Sequence, residues 1–429
     1  MNPLKKSSLS QAVFSWSAAN MVPILFLLFT LFGFYVSEGV PLVFFLRELS
    51  SRFFRNIFLV LSLIIPVIAG LGLNFGIVIG AMAAQVAIAV VKYFSLGGLW
   101  GLILCVALSV PLALLFGRMT GHLYNKTRGQ EMIASLIVGF FANAAYQFAF
   151  LYFVGGLIKV PANHPMIKPD GVGIRATIDM GKPDEGGLQY AVDGICKIPL
   201  MWGLLIVSLS VLVWLAWYYH KVNKNAAFRE KIWPLRIKML LAAAASILFG
   251  CVLTSESLLL GIKIPVVTAM AILLLCLFTE WITGTKLGQD FRSVGSSQHI
   301  AQVSGIDIDK KRILAVEIST VLAALGQIIF LQDIGTFNTY SAHEQIGMFS
   351  VAALLVGGAS ISNATIWHAI IGTILFNAMF IISPEIGQAV FGQVLLGEYF
   401  RTFVVYGVIG LALGIYVWKI NRRKSRVLN

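Results

Sequence analysis

Neutral amide side chains stand inside some of the most apolar stretches of this chain, where hydrogen-bonding groups are uncommon. The spacing of four between Asn143 and Gln147 places both on one face of a helix. Uncharged amides either bind a neutral polar solute, such as a sugar or a nucleoside, or bond neighbouring helices to each other, and the sequence leaves both roles open. The candidate residues for a solute pathway are Asn74, Gln85, Asn143, Gln147 and Asn363.

Two carboxylates are the candidates for ion-coupled transport, which needs a titrating or cation-binding group at membrane depth. Glu280 lies close to the end of its apolar stretch, where an interfacial carboxylate is expected. Glu317 lies a turn or more inside the next stretch, and helical spacing predicts that it pairs with Arg312 or Lys311. A structural role is therefore favoured for both, and ion coupling remains the alternative.

Motifs of catalysis are missing from the sequence. It contains no GxxxxGK[ST] phosphate loop, no HExxH and no GxSxG. The six histidines are scattered, and the four cysteines show no CxxC spacing. We therefore expect a chain that is not an enzyme, with no cofactor and no metal of its own.

The elements that carry these residues are predicted from composition. The chain of 429 residues is 58% hydrophobic and 12% charged, and its mean hydropathy is +0.85. These values predict an all-α, polytopic transmembrane bundle of about 10–12 spans, some broken or re-entrant. The apolar windows are 21–44, 57–74, 75–93, 97–117, 131–156, 199–219, 237–256, 264–284, 312–331, 346–364, 366–383 and 400–420. Residues 57–93 and 346–383 each fit one span plus a half-helix.

Charge distribution predicts the orientation. The net charge is +13, and with both termini cytoplasmic 21 of the 32 lysines and arginines fall on the cytoplasmic side. This pattern is typical of a membrane protein in contact with lipid and needs no nucleic acid. The exception is RELSSRFFRN, residues 47–56, which would lie outside and whose spacing predicts a short amphipathic helix at the membrane interface.

The predicted organisation has three parts. Residues 1–156 form an N-terminal transmembrane half, and residues 199–429 form a C-terminal half. Between them, the polar segment 157–198 is too hydrophilic to insert and too long for a simple connection, so it is either an ordered cap or a docking surface. A second polar insert, the loop 285–311, interrupts the C-terminal half on the cytoplasmic side.

That second insert contains the sequence GQDFRSVGSSQHIAQVSGI. Its part SSQHIAQVSG predicts a short helix that Ser296 or Ser297 caps at the start and Gly305 ends in the left-handed conformation. Such a helix either transmits the motion of a partner or is an ordinary connection.

The insert resembles the cytoplasmic signature of ATP-binding cassette import permeases of the ribose/branched-chain amino acid type, in particular their nucleoside and simple-sugar branch. The matching pattern is GxDFRxVGxxxxxAxxSGI, from Gly288 to Ile306. In the same order, NFGIVIGAMAAQ resembles NIGxEGQM, GQEMIASLIVGFFAN resembles NEVIxTxMLNxIA with Glu131 matching, and IGMFSVAALLVGGAS resembles FxxIAVALLGGxxP. The chain departs from this pattern at Ile79, where the family has an acidic residue.

The resemblance implies a transport subunit in a bacterial cytoplasmic (inner) membrane. Its expected partners are cytoplasmic ATP-binding subunits that hold ATP and Mg, a second permease subunit that is identical or paralogous, and an extracytoplasmic solute-binding protein. It also implies that the insert couples to the ATPase. The residues expected to hold or make that contact are Gly288, Arg292, Gly295, Gln298, His299, Gln302, Ser304 and Gly305.

Overall fold

The computed structural model describes residues 20–37, 40–161, 164–168, 172–182, 186–223, 232–255 and 258–428. Lys5, Lys6 and the lysines and arginines of residues 224–231, which count toward the charge distribution that predicts the orientation, lie outside the described residues.

The first half of the chain folds into helices, because only a helix satisfies the backbone groups of a long apolar run within the run itself. A π-helical turn, Ala149–Phe153, continues the last of them. The helices are α1 (Met21–Val36), α2 (Leu42–Leu61), α3 (Ile64–Ile68), α4 (Ile77–Tyr93), α5 (Gly98–Lys126) and α6 (Glu131–Phe148).

Residues 47–56 do not form a separate interfacial helix, so that prediction is wrong. They are the middle of α2, which continues into the buried Ile57 and Leu61. Together α2 and α3 make one candidate span, Leu42–Ile68. The physical reason is Arg55, whose Nη1 lies 3.2 Å from Oδ2 of Asp333, so that its charge is paired inside the bundle.

At one end of the bundle, four short strands pair the loops between helices with each other. They are β1 (Thr177–Asp179), β2 (Lys197–Pro199), β3 (Lys263–Pro265) and β4 (Thr336–Asn338). β1 pairs antiparallel with β4, with Ile178 opposite Phe337, and β2 pairs antiparallel with β3. The described part of segment 157–198 is therefore ordered against the neighbouring connections.

The second half is again helical. Its elements are α7 (Leu200–Asn223), α8 (Ile232–Thr254), α9 (Val266–Gly284), α10 (Lys286–Ser296), α11 (Gln298–Val303), α12 (Ile308–Ile334), α13 (Glu344–Val356), α14 (Ile366–Phe391) and α15 (Val394–Leu428), with a 3-10 turn at Leu258–Gly261. Because α12 begins at Ile308, the predicted loop 285–311 is shorter by four residues and is mostly helical.

The predicted polytopic helical bundle is confirmed. Among the described residues, nine helices are long and apolar enough to cross a membrane. Three shorter apolar helices, α1, α4 and α13, accompany them. The region 57–93 contains the end of one span and the short α4, and 346–383 contains the short α13 and most of α14, as the sequence predicts.

α12 lies at the centre of the packing and contacts α2, α4 and α5. Small residues on its surface, among them Ala315, Ser319 and Ala323, are fully buried, which lets the helices approach closely. α14 packs against α1, α2, α13 and α15, whereas α7 and α8 pack chiefly on each other.

The bundle has two distinguishable ends. We call the end that carries the four strands the strand end. At the opposite end, which we call the segment end, Asn125 Nδ2 donates to the carbonyl of Asp309 at 3.0 Å, and Gly70 packs against Gly295 of α10.

Candidate translocation cavity and coupling segment

A cavity of about 340 Å³ lies between α2, α12, α13 and α14, and it reaches from the strand end toward the middle of the bundle. We call it the central cavity. Its walls combine amides and hydroxyls with four phenylalanine rings and two arginines. The residues that define its chemistry are Asn56, Asn338, Ser341, Gln345, Ser350, Asn377, Phe330, Phe349, Phe376, Phe380, Arg52 and Arg55.

An asparagine pair joins the two long helices of this cavity. Asn56 Nδ2 of α2 donates to Asn377 Oδ1 of α14 at 3.0 Å. Asn377 is 3% exposed, and its own Nδ2 donates to the carbonyl of Thr373 at 2.7 Å. The pair fixes the direction of both amide groups, which is what selective hydrogen bonding to a solute requires.

The arginines of the cavity are paired with carboxylates. Arg52 Nε lies 3.4 Å from Glu48 Oε2, and Arg55 Nη1 lies 3.2 Å from Asp333 Oδ2. The Arg55 guanidinium also stands 5.6 Å from the ring centre of Phe330. Since each cation has its own anion, the cavity suits a polar solute without net charge better than an ion.

Three of the five predicted pathway residues come together around a histidine. His343 Nδ1 lies 2.7 Å from Gln85 Oε1, and His343 Nε2 lies 2.8 Å from Asn143 Oδ1. Gln147 Nε2 donates to the same Asn143 oxygen at 3.2 Å and to the carbonyl of Tyr340 at 3.3 Å. This cluster, in which His343 and Gln85 are buried and the other two side chains are half-buried, holds the turn before α13 against α4 and α6.

The histidine of this cluster was missed by the sequence reasoning, which treated the six histidines as scattered loop residues. His343 is 0% exposed. The signal available was its place in YSAHEQIG, directly before a short apolar helix, where a polar ring needs partners from other helices.

Asn143 also lines a second cavity of about 390 Å³, which extends between α6, α13 and α15. Gln345 and Phe349 border both this second cavity and the central cavity. The first turns of α13 therefore form the partition between the two, and His343, just before α13, fixes that partition in place.

The remaining two predicted pathway residues lie elsewhere. Asn74 is buried and accepts hydrogen bonds from Tyr124 Oη at 3.0 Å and from the backbone N–H of Gly76 at 2.9 Å. It stabilises the turn that leads into α4 and lines neither the central nor the second cavity. Asn363 borders a third cavity, of about 790 Å³, at the segment end beside Arg292 and Gly295.

The short helix predicted within the loop 285–311 is present as α11. Ser297 is its N-cap and accepts a hydrogen bond from the Ile300 N–H at 3.4 Å. Gly305, with φ of 77°, adopts the left-handed conformation that the sequence predicts. We call α10 and α11 together, residues 286–303, the coupling segment, after the role that the resemblance implies for this stretch.

The coupling segment is held tightly to the bundle. A Cβ on Gly295 would collide with the carbonyl of Ile68 and the backbone at Gly70, so these chains touch through their backbones. Gly288 packs equally closely on the backbone of Ile282 and Thr283. Arg292 Nη2 donates to the carbonyl of Thr283 at 2.7 Å.

The outward surface of α11 and of the two residues after it is exposed. His299, Gln302, Ser304 and Gly305 are exposed there and Gln298 is half-buried. Sequence reasoning did not single out Ile300 and Val303, which are 65% and 77% exposed. An exposed apolar pair on a short polar helix is typical of a contact with another protein.

The structure is a polytopic helical bundle with inner cavities and a short exposed helix at one end. These features fit the class of membrane permeases. The chain belongs to the family described as branched-chain amino acid transport system / permease component, whose model matches residues 47–413. The resemblance stated from the motifs is thereby confirmed.

Three curated relatives are similar over part of the chain. The autoinducer 2 import system permease protein LsrC of Enterobacter sp. (strain 638) is 34% identical over 112 residues, 26% of this chain and 32% of that protein. LsrC of Yersinia pestis (strain Pestoides F) is 35% identical over 104 residues, 24% of this chain and 29% of that protein. The xylose transport system permease protein XylH of Haemophilus influenzae (strain ATCC 51907 / DSM 11121 / KW20 / Rd) is 25% identical over 164 residues, 38% of this chain and 41% of that protein.

These matches span about a third of the length of each relative, from 29% to 41%. No solved structure matches the chain.

Proposed function

We propose that this protein is the transmembrane permease subunit of an ATP-binding cassette importer that takes up a small polar solute. The observation that carries the proposal is the mounting of α11, an exposed helix that directly follows α10, whose Gly295 is in backbone contact with Gly70 of the bundle. A helix held in this way moves together with the bundle, so a partner that displaces it also displaces the spans.

The solute we propose is neutral and rich in hydroxyl groups, such as a simple sugar or a nucleoside. Support comes from the central cavity, where amides face aromatic rings and both arginines are paired. Amides bond to hydroxyls or ring nitrogens, while phenylalanine faces pack on the apolar side of a sugar or base. The names of the relatives, which refer to autoinducer 2 and xylose, agree with a solute of this size.

In the proposed mechanism this chain performs no catalysis, and ATP with Mg is bound and hydrolysed by a separate cytoplasmic subunit. ATP-driven closure of that subunit moves α11, and the bundle alternates between two states that open to opposite sides. The solute passes from the central cavity past Gln345 and Phe349 toward the second cavity with Asn143. Asn363 and Arg292 border the exit at the segment end.

The proposed location is a bacterial inner membrane, with the segment end on the cytoplasmic side. Lysines and arginines concentrate toward that end, including Arg118 and Lys126 in the last turns of α5 and Arg128 after it. The strand end would then face the solute-binding protein, and the exposed apolar faces of the outer helices would meet lipid or a second permease subunit.

Uptake into proteoliposomes tests this proposal. The chain is co-reconstituted with its cognate ATPase and solute-binding protein, and uptake is measured with ATP or with an imposed proton or sodium gradient. We expect uptake with ATP only. Uptake driven by the gradient alone would favour ion coupling through Glu317 or Glu280, an alternative that membership of a permease-component family already disfavours.

A further inference from the structure

We propose that two ion pairs at the start of α12 transmit the displacement of the coupling segment to the corner between α5 and α6. The pairs are Lys311 with Asp290 and Arg312 with Glu131. This inference rests on the proposed function, and it assigns positioning roles to four residues whose side chains line none of the three cavities described above.

The first pair connects the coupling segment to α12. Lys311 Nζ lies 2.9 Å from Asp290 Oδ2, and the two side chains are 28% and 12% exposed. Asp290 belongs to α10, next to the buried Phe291, which anchors the same helix in the main apolar core. Any shift of α10 therefore acts on Lys311 through an ion pair that is largely screened from water.

The second pair connects α12 to the α5–α6 corner. Arg312 is 1% exposed, and its Nη2 donates to Glu131 Oε1 and, at 3.3 Å, to the carbonyl of Tyr124 near the end of α5. Its Nε and Nη1 have no partner among the described residues. Among the described residues, Glu131 is the only carboxylate that pairs with this buried charge, so the two groups cannot separate without leaving an unpaired buried ion.

Lys311 and Arg312 are consecutive, and consecutive helix residues point about 100° apart. One turn of α12 is therefore held by α10 on one side and by α5 and α6 on the other. Arg128, which pairs with Asp309, adds an outer contact between the same corner and α12.

The α5–α6 corner is important because α6 contains both Glu131 and Asn143. α6 begins at Glu131, and Asn143, three turns further on, bonds to His343 at the partition between the central and second cavities. A displacement passed to Glu131 thus reaches the partition along one rigid helix. Glu131 and Asp290 both lie in the sequence motifs that resemble the permease family. Their role here is to transmit a displacement, which is distinct from solute binding and from contact with the ATPase.

The test uses the full complex in proteoliposomes and compares Lys311→Gln with Lys310→Gln. Lys310 is the matched control, because its ion pair, 2.9 Å from Nζ to Oδ2, is made with Asp307 at the start of its own helix. Solute uptake and ATP hydrolysis are measured on the same preparation, and the amount of ATPase bound to the permease is measured by co-purification.

We expect Lys311→Gln to bind the ATPase and hydrolyse ATP as the wild type does, and to move about tenfold less solute per ATP hydrolysed. Lys310→Gln should behave as the wild type. The exchanged pair, Asp290→Lys with Lys311→Asp, should regain most of the transport per ATP, because it restores the ion pair, while unchanged ATPase binding and ATP hydrolysis in Lys311→Gln distinguish transmission from a structural loss.

The outcomes separate the two proposals. A wild-type complex that shows no ATP-dependent uptake overturns the proposed function and this inference with it. A wild type that transports, together with a Lys311→Gln variant of unchanged transport per ATP, overturns this inference alone. Loss of ATPase binding in Lys311→Gln would also overturn it, because the pair would then serve assembly.

Discussion

Asn56 and Asn377 meet across the central cavity, with 3.0 Å between Nδ2 of the first and Oδ1 of the second. They lie 321 positions apart in the sequence, on α2 and α14. Because each amide is oriented by a partner, the cavity presents hydrogen-bonding groups in fixed directions instead of a flexible polar surface.

We predict that Asn377→Ala raises the KM for uptake about fivefold, because a lost hydrogen bond costs about 1 kcal/mol. The maximal rate should change less than KM, since the coupling segment is untouched. The measurement is the concentration dependence of uptake by the reconstituted complex.

Asn363→Ala is the control for this substitution. It removes the same side chain at the segment end, outside the central cavity, and should leave KM unchanged. A KM that rises in Asn363→Ala but not in Asn377→Ala would place the solute site in the third cavity and contradict its assignment to the central cavity.

The backbone contact of Gly70 with Gly295 predicts a steric effect on stability. In Gly295→Ala the new methyl group meets the carbonyl of Ile68, and the overpacking should lower the free energy of unfolding by about 1–3 kcal/mol. Thermal unfolding of the purified chain in detergent measures this. Gly284→Ala, whose added methyl meets nothing within 4 Å, should not lower the stability, and equal behaviour of the two variants would refute the tight mounting.

The His343 cluster predicts a second stability effect. His343→Ala leaves the buried Gln85 Oε1 without its partner, which costs about 1–3 kcal/mol, whereas Asn143 Oδ1 keeps the hydrogen bond from Gln147. We expect a clear loss of thermal stability, and His343→Gln should recover part of it because an amide still reaches one neighbour. Unfolding curves that do not distinguish His343→Ala from the wild type would contradict the role given to this cluster.

Much of the fold was predictable from the sequence, because apolar runs longer than a membrane is thick admit few other structures. The short helix α11 was predictable as well. Ser297 and Gly305 supply local start and stop signals that depend on neighbouring residues only. The spacing of Asn143 and Gln147 likewise predicted a shared face, and the two side chains bond to each other.

Long-range pairs explain what the sequence reasoning missed. Arg55 enters the bundle because Asp333 neutralises it, and no local pattern announces a partner 278 positions away. Glu317 was predicted to pair with Arg312 or Lys311, and this is wrong, since Arg312 pairs with Glu131 and Lys311 with Asp290. Helical spacing predicted a pair within one helix, whereas tertiary packing places Asp290 and Glu131, from other helices, beside the two cations.

The proposed function requires that a separate ATPase drives transport through α11. The most direct test is ATP-dependent uptake by the complex that carries Val303→Glu, which puts a charge on the exposed apolar surface of α11 without burying it. Gln289→Glu, which adds the same charge at an exposed position of α10, is the control. We predict that Val303→Glu abolishes uptake and ATPase binding while the control retains both; undiminished ATP-dependent uptake by Val303→Glu would contradict the claim.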